Sequence, residues 1–188
     1  MATTEKKQLL FVVNTGTYFN GLLAIALFFK KTGSYEPTIF FASHYPQIQA
    51  HGQRCAREQI ATIVTDEYTE EQLTRRTIVG VVIEFCASII RRPFFLELQR
   101  MYHSQRVATA VLRWVRPALL ILAADNVSYD TALCVQIGHR FGIRSVLFPQ
   151  WLADSSEPAE FFFDHPEYQV RTLFSRLISM LFPAWVHI

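Results

Sequence analysis

A chain of 188 residues with 51% hydrophobic side chains is long enough for one well-buried domain with a short appendage. Its net charge of +2 includes no basic block, which argues against nucleic-acid binding. No apolar run reaches the roughly 18–20 residues of a membrane-spanning helix, and the polar N-terminus is not typical of a secretion signal. Three widely spaced cysteines lack metal-ligand spacing and predict reduced thiols in a cytosolic protein.

Short apolar runs separated by polar loops predict five strands, of which the first, fourth and fifth are expected to be buried. The predicted strands are Leu9–Val13, Pro37–Ala42, Ile60–Thr65, Ala118–Ala124 and Arg144–Phe148. Predicted helices are Gly21–Lys31, a weaker one before the third strand, Thr77–Ile90, Phe94–Arg116 and one that ends near Phe141. This alternation predicts an α/β domain, a doubly wound and mainly parallel sheet with helices on both faces. The first strand should lie beside the fourth, where the winding reverses.

Residues 1–167 are predicted to form this domain, and residues 168–188 a C-terminal helix and linker. The helix Tyr168–Phe182 carries apolar residues at helical spacing, which suits packing against the sheet or the rest of the protein, or contact with a membrane surface. The segment Ile89–Phe95, with two arginines among apolar residues, is a second candidate interface. Because the chain ends without a polar tail, we expect a longer protein.

Two polar loops should flank one crevice at the carboxyl edge of the sheet, where open α/β sheets bind ligands. The candidate binding residues of the first loop are Asn14, Thr15, Gly16, Thr17, Tyr18 and Asn20. Those of the second loop, Asp125–Asp130, are Asn126, Ser128 and Tyr129, beside the acidic Asp125. Gln150 and Trp151 follow the fifth strand at the same edge. Helix capping is the structural alternative for Asn20, Asp125 and Asn126, and core packing is the alternative for Trp151.

Several chemistries are not expected from this pattern. Gly16 and Gly21 do not have the spacing of a dinucleotide fingerprint, and no P-loop lysine is present, so neither NAD nor P-loop ATP chemistry is indicated. No metal or other cofactor is expected. His44, after the second strand, is the histidine best placed for acid–base work, whereas His51, His103 and His139 are expected on helix surfaces.

Two stretches of the chain resemble a known superfamily. KKQLLFVVNTGTYFNGLLAIALFFKK and PALLILAADNVSYDTALCVQIGHRFGIRSVLFPQW are similar to the N-terminal Rossmann-like half of GT-B glycosyltransferases and UDP-N-acetylglucosamine 2-epimerases. The likeness runs from Lys7 to about Trp185. Asp125 matches the aspartate that ends a strand in the epimerases. Pro149 or Gln150 stands where those enzymes have a catalytic glutamate, and NTGTYFN replaces their Gly-Thr-Arg-Pro-Glu loop, which argues against epimerase chemistry.

The resemblance implies the acceptor-side half of a glycosyltransferase, inactive without a second Rossmann domain that supplies most donor contacts. Its substrates would be a nucleotide-sugar donor and a glycan or lipid-linked acceptor. Asp125 is the expected catalytic base and His44 the second candidate. We expect a cytoplasmic location, with peripheral contact to the inner membrane face as an open alternative. The alternative functions are a nucleotide-sugar 2-epimerase-like half and a non-catalytic flavodoxin-like binding module.

Overall fold

The computed structural model describes residues 6–42, 45–65, 68, 73, 76–90, 93–123 and 130–148. Within these ranges the chain forms five strands and five helices. The strands are β1 (Lys7–Val13), β2 (Tyr35–Phe41), β3 (Ala61–Val64), β4 (Leu119–Leu122) and β5 (Arg144–Leu147). The helices are α1 (Gly16–Lys31), α2 (Ile48–Arg57), α3 (Ile78–Ile90), α4 (Pro93–Val115) and α5 (Asp130–Arg140). The predicted elements in this part of the chain are confirmed, and the largest shift is at the start of α1.

The described strands form one sheet in the order β3-β2-β1-β4-β5, and all neighbours are parallel. Leu10 of β1 is in register with Thr38 of β2 on one side and with Leu120 of β4 on the other. The winding therefore reverses between β1 and β4, as predicted. The fold is an α/β doubly wound, Rossmann-like sheet.

Apolar layers cover both faces of the sheet. Leu10 and Val12 of β1 belong to the core formed with α3, α4 and α5, whereas Leu9, Phe11 and Val13 belong to the core formed with α1 and α2. A central parallel strand needs apolar side chains in both directions, which explains the uninterrupted apolar run in β1. Because β1 is buried in the centre of the sheet, the polar residues that follow it, Asn14 and Thr15, begin at the carboxyl edge of the sheet.

The fifth strand is not buried as predicted. Val146, Leu147 and Phe148 are each between 37% and 40% exposed. In the described part of the chain β5 is an edge strand that pairs with β4 alone, so its side chains lack a neighbouring strand. Apolar composition alone does not separate such an edge strand from a central one.

Helices α3 and α4 form a hairpin on the α5 side of the sheet. The backbone N–H of Thr77 donates a 2.9 Å hydrogen bond to the hydroxyl of Tyr102, and a Cβ at Gly80 would overlap the Tyr102 ring. The absence of a side chain at residue 80 thus lets the two helices approach closely. Further along, Arg100 of α4 contacts Asp130 at the start of α5. The N-terminal part of α4 therefore extends past the carboxyl edge of the sheet.

The predicted division at residue 167 falls outside the described residues, as does the helix predicted for Tyr168–Phe182.

Candidate functional site

Two helix N-termini reach the carboxyl edge of the sheet from adjacent strands. β1 ends at Val13 and α1 begins at Gly16, while β4 ends at Leu122 and α5 begins at Asp130. The first turn of a helix has backbone N–H groups without intrahelical partners and a partial positive charge, which favours anions. This edge can therefore receive phosphate or other oxygen-rich ligands.

The first polar loop is much shorter than predicted. Only Asn14 and Thr15 connect β1 to α1, and the predicted ligand residues Gly16, Thr17 and Tyr18 lie in the first turn of the helix. The expected long loop is therefore wrong, although these residues stay at the carboxyl edge.

The capping alternative for Asn20 is wrong, because Asn20 does not cap α1. Thr15 is the N-cap residue, with extended backbone (φ −142°, ψ 156°), and its side chain makes no capping bond. Asn20 lies in the helix, where its Oδ1 accepts a 2.7 Å hydrogen bond from Nη1 of Arg54. The helix starts early because Phe19, fully buried, continues the apolar stripe of Leu22 one turn towards the N-terminus.

Buried polar atoms without partners mark this edge. Asn14 is 4% exposed, and neither its Nδ2 nor the Oγ1 of Thr15 has a hydrogen-bond partner in the described chain. The fully buried Thr131, second residue of α5, also has an unpaired hydroxyl. A buried polar group left unsatisfied costs about 1–3 kcal/mol, so such atoms call for a water or ligand partner. An amide and two hydroxyls are suited to ligand hydroxyl or phosphate oxygens.

His51, which we expected on a helix surface, lies against the start of α1. Its ring stacks on Phe19, with centroids 3.9 Å apart and planes 8° from parallel, and its Nδ1 is 3.0 Å from the hydroxyl of Tyr45. A Cβ at Gly16 would lie 3.4 Å from Cε1 of His51. The residue therefore borders the N-terminus of α1. The only indication of this placement in the sequence is that His51 follows Tyr45 closely along the chain.

The environment of His51 favours the neutral imidazole. Burial, and then the nearby Arg54 guanidinium, lower the pKa of His51 below its ordinary value. Its Nε2 has no hydrogen-bond partner in the part of the chain that the structure describes. If Nδ1 carries the proton and donates to Tyr45, Nε2 is a free acceptor that can take a proton. Burial also raises the pKa of Tyr45, which keeps that hydroxyl protonated.

Asp130 has a structural role at the same edge. It is 5% exposed, and its Oδ1 lies 3.1 Å from Nη1 of Arg100. Its carboxylate also sits at the N-terminus of α5, where negative charge is stabilising. The ion pair joins the start of α5 to α4.

The remaining predicted site residues lie outside the described residues. They are His44, Asp125, Asn126, Ser128, Tyr129, Gln150 and Trp151. The described neighbours of the second loop do reach the expected edge. Ala123 follows β4 there, and the N–H of Phe148 donates a 2.7 Å hydrogen bond to the carbonyl of Leu122.

A groove of about 640 Å³ lies at the opposite edge, between the end of α4 and the start of β5. Arg113, Arg116 and Phe141 line it, and the Arg113 guanidinium lies 5.6 Å from the Phe141 ring centroid. Open α/β sheets bind ligands at the carboxyl ends of their strands, so we assign the site to the other edge.

The described residues also include side chains of the types that bind metals, and three thiols. No three His, Cys, Asp or Glu side chains come together there as a metal site. The cysteines Cys55, Cys86 and Cys134 are free thiols. Burial raises the pKa of Cys55 to about 11, which disfavours the nucleophilic thiolate. None of the described helices has the length and apolar character to cross a bilayer.

Comparison with solved structures identifies the fold class. The chain is similar to CalG4, the calicheamicin glycosyltransferase, with a TM-score of 0.54 and 14% identity over 97% of this chain and 43% of that one. A glycosyltransferase from Rickettsia africae ESF-5 matches with a TM-score of 0.45 and 11% identity over 87% of this chain and 35% of that one. The Rossmann-like fold implied by the GT-B resemblance is confirmed by CalG4.

The similarity to CalG4 establishes the fold and leaves the activity to be argued from the site. The chain spans less than half the length of either matched structure. No family model matches the sequence, and no curated protein does.

Proposed function

We propose that the chain is the N-terminal, acceptor-side half of a GT-B-type glycosyltransferase that uses a nucleotide-sugar donor. The observation that carries the proposal is the unpaired Asn14 amide beside the N-terminus of α1, at the edge where the winding reverses. A glycan or lipid-linked acceptor offers hydroxyl oxygens for such donors. A helix N-terminus adds an attraction for phosphate.

The proposal includes a second Rossmann-like domain, which closes over this edge and supplies most donor contacts. The chain's coverage of 43% of CalG4 supports it, since one half of a two-domain enzyme has about this share. A closed cleft would exclude water and bring donor and acceptor together. Residues 1–188 alone therefore bind substrate weakly and do not turn over. We place the enzyme in the cytoplasm.

An inverting transfer needs a base that takes the proton of the acceptor hydroxyl. Asp125 is our first candidate, because it follows β4 in the sequence and β4 pairs with β1, the strand that leads to the unpaired Asn14 amide. His44 is the second candidate. His51 is a third group on the same edge, and its lowered pKa keeps it available as a proton acceptor near neutral pH.

Replacing Asn14 with leucine separates a ligand contact from a structural role. If the amide meets substrate, Asn14→Leu in the complete enzyme lowers kcat/KM by about threefold to tenfold, the value of one neutral hydrogen bond. The melting temperature stays the same or rises, because an unpaired buried polar group is replaced by an apolar one of similar size. Steady-state kinetics and thermal denaturation measure the two effects.

Gln8→Leu is the control, since Gln8 lies on the same strand at the opposite edge and bonds to Glu36 in solvent. It should leave kcat/KM unchanged. A lower melting temperature with full activity in Asn14→Leu would mean that Asn14 only supports the fold, and would remove the observation on which the proposal rests.

A further inference from the structure

The groove at the amino edge of the sheet, called the amino-edge groove below, has the volume of a small-molecule site. Its 640 Å³ falls within the roughly 300–1,000 Å³ of ligand pockets. One wall is the end of α4 with Pro117 and Ala118, and the other is the segment 141–143 between α5 and β5. Because it lies at the edge opposite to the candidate site, it is a separate place where a ligand can bind.

Backbone hydrogen bonds fix both walls of the groove. The N–H of Ala118 donates a 2.9 Å bond to the carbonyl of Gln8 on β1. The N–H of Ile143 donates a 2.9 Å bond to the carbonyl of Gly138 in α5. The groove is therefore formed without a ligand, and a ligand that enters it does not have to order its walls.

Two arginines at the end of α4 give the groove a positive charge. Arg113 and Arg116 are both exposed, and neither pairs with a carboxylate in the described part of the chain. The described lining also includes no acidic side chain. Helices α4 and α5 both end here, each with a partial charge of about −0.5, which two full positive charges exceed. The groove thus favours an anion.

Further cations lie next to the groove. Arg140 and Arg144, on either side of the segment 141–143 in the sequence, are both exposed. The carboxylate of Glu36 belongs to the same edge, but it lies on β2, which β1 separates from β4, and it accepts a 2.7 Å hydrogen bond from Gln8. Positive charge is therefore concentrated on the β4–β5 side of this edge.

The backbone of Arg116 gives no reason for an arginine at this position. Its φ of 46° lies in the left-handed region, which favours glycine. Gly33 and Gly142 have such angles after α1 and α5. Glycine would serve the fold at least as well, whereas the arginine side chain adds a forked donor that matches a phosphate or carboxylate group.

Apolar side chains complete the lining. The Arg113 guanidinium lies 5.6 Å from the Phe141 ring centroid, a cation–π contact that holds the charged group in place. Phe141 is 40% exposed, so its ring can also contact a ligand. Leu112, Pro117 and Ile143 add further apolar surface. This lining suits a ligand that carries an anionic group beside an apolar ring.

We propose that the amino-edge groove binds a small organic anion, an aromatic phosphate or carboxylate. Its charged group meets Arg113 and Arg116, and its ring packs against Phe141. The volume of the groove limits the ligand to a small molecule. This inference depends on the ends of α4 and α5 and not on glycosyl transfer.

An NMR titration of the full chain tests the proposal with four probes: phenyl phosphate, benzoate, inorganic phosphate and phenol. The backbone amide signals of Gly142 and Ile143 report on the groove, and that of Gly33 reports on the opposite face. Phenyl phosphate should shift the first two signals and not the third. It should bind at least about threefold more tightly than inorganic phosphate or phenol, because only it uses both the arginines and the apolar lining. The tighter of phenyl phosphate and benzoate identifies the charged group.

Three variants test the arginines. Arg113→Gln and Arg116→Gln should each weaken phenyl phosphate binding by at least about threefold, the modest value expected for an exposed ion pair. Arg116→Gly should weaken binding equally, while its melting temperature stays the same or rises, because glycine accepts the left-handed backbone. A lower melting temperature of Arg116→Gly would show that Arg116 supports the fold, and would count against a ligand role.

Arg57→Gln is the matched control for loss of one positive charge. Arg57 is exposed in the last turn of α2, on the other face of the sheet, and its replacement should leave binding unchanged. The proposal is overturned if phenyl phosphate leaves the Gly142 and Ile143 signals in place, or if Arg57→Gln weakens binding as much as Arg113→Gln does. It is also overturned if phenol or inorganic phosphate binds as tightly as phenyl phosphate.

Discussion

Asp125→Asn in the complete enzyme is expected to lower kcat by about 10²–10⁴-fold, the usual contribution of a positioned general base. Asparagine has nearly the same shape as aspartate but cannot take the proton of the acceptor hydroxyl. Binding should change less than turnover, because proton transfer contributes mainly in the transition state. The measurement is glycosyl transfer at saturating donor and acceptor.

Glu36→Gln is the control for loss of one carboxylate, since Glu36 lies on β2 at the opposite edge of the sheet. It should retain full kcat. Unchanged transfer in Asp125→Asn would show that the base is another group, and His44→Asn and His51→Asn would then identify which histidine accepts the proton.

Phe19→Ala is expected to destabilise the fold by about 3–5 kcal/mol, the usual cost of removing a buried phenylalanine. Phe19 is fully buried on α1, and its ring lies 6.1 Å from that of Phe41 and 3.9 Å from that of His51. Phe28→Ala, on the same helix but 65% exposed, should change stability by less than about 0.5–1 kcal/mol. Chemical denaturation measures both.

The same variant tests the environment of His51. Removing the stacked ring lets water reach the imidazole, so the pKa of His51 should rise towards its ordinary value when followed by NMR. In wild type the folded-state pKa is lowered, so this group's contribution to stability is present above about pH 6.5 and is lost as pH falls through the folded pKa. A pKa unchanged by Phe19→Ala would mean that Phe19 does not desolvate His51.

The order of the strands could be predicted because local pattern and topology rules agree. Continuous apolar runs such as Leu9–Val13 require helices on both faces, and right-handed crossovers then place β1 beside β4. Gly33 and Gly142 have positive φ, at 73° and 72°, and end α1 and α5 where a left-handed residue is needed. The apolar runs and the helix-ending glycines involve residues that are close along the chain, so the sequence pattern alone indicates them.

The start of α1 could not be predicted from local signals. Thr17 and Asn20 are typical of loops, yet burial of Phe19 against Phe41, 22 residues away, favours helix. The burial of β5 was overestimated because an apolar run does not reveal whether a strand has one neighbour or two. Tertiary contacts decided both cases.

The edge of the sheet that carries the candidate site could be predicted from the strand topology, but some of its side-chain contacts could not. The carboxyl edge and Asn14 were predicted because parallel strands bring their ends together. The pairing of His51 with Tyr45 and the unpaired hydroxyl of Thr131 depend on how helices pack on the sheet. The exposure of Ile78, Phe85 and Ile89 on α3 was also not predicted, since the composition of this helix equally suits a core helix.

The most direct test of the central claim is release of nucleoside diphosphate from a panel of nucleotide sugars in the presence of glycan and lipid-linked acceptors. Residues 1–188 alone should release none, and the same residues joined to the second Rossmann-like domain should turn over. Turnover by residues 1–188 alone, or a complete protein that neither binds nor cleaves any nucleotide sugar, would contradict the assignment of an acceptor-side half.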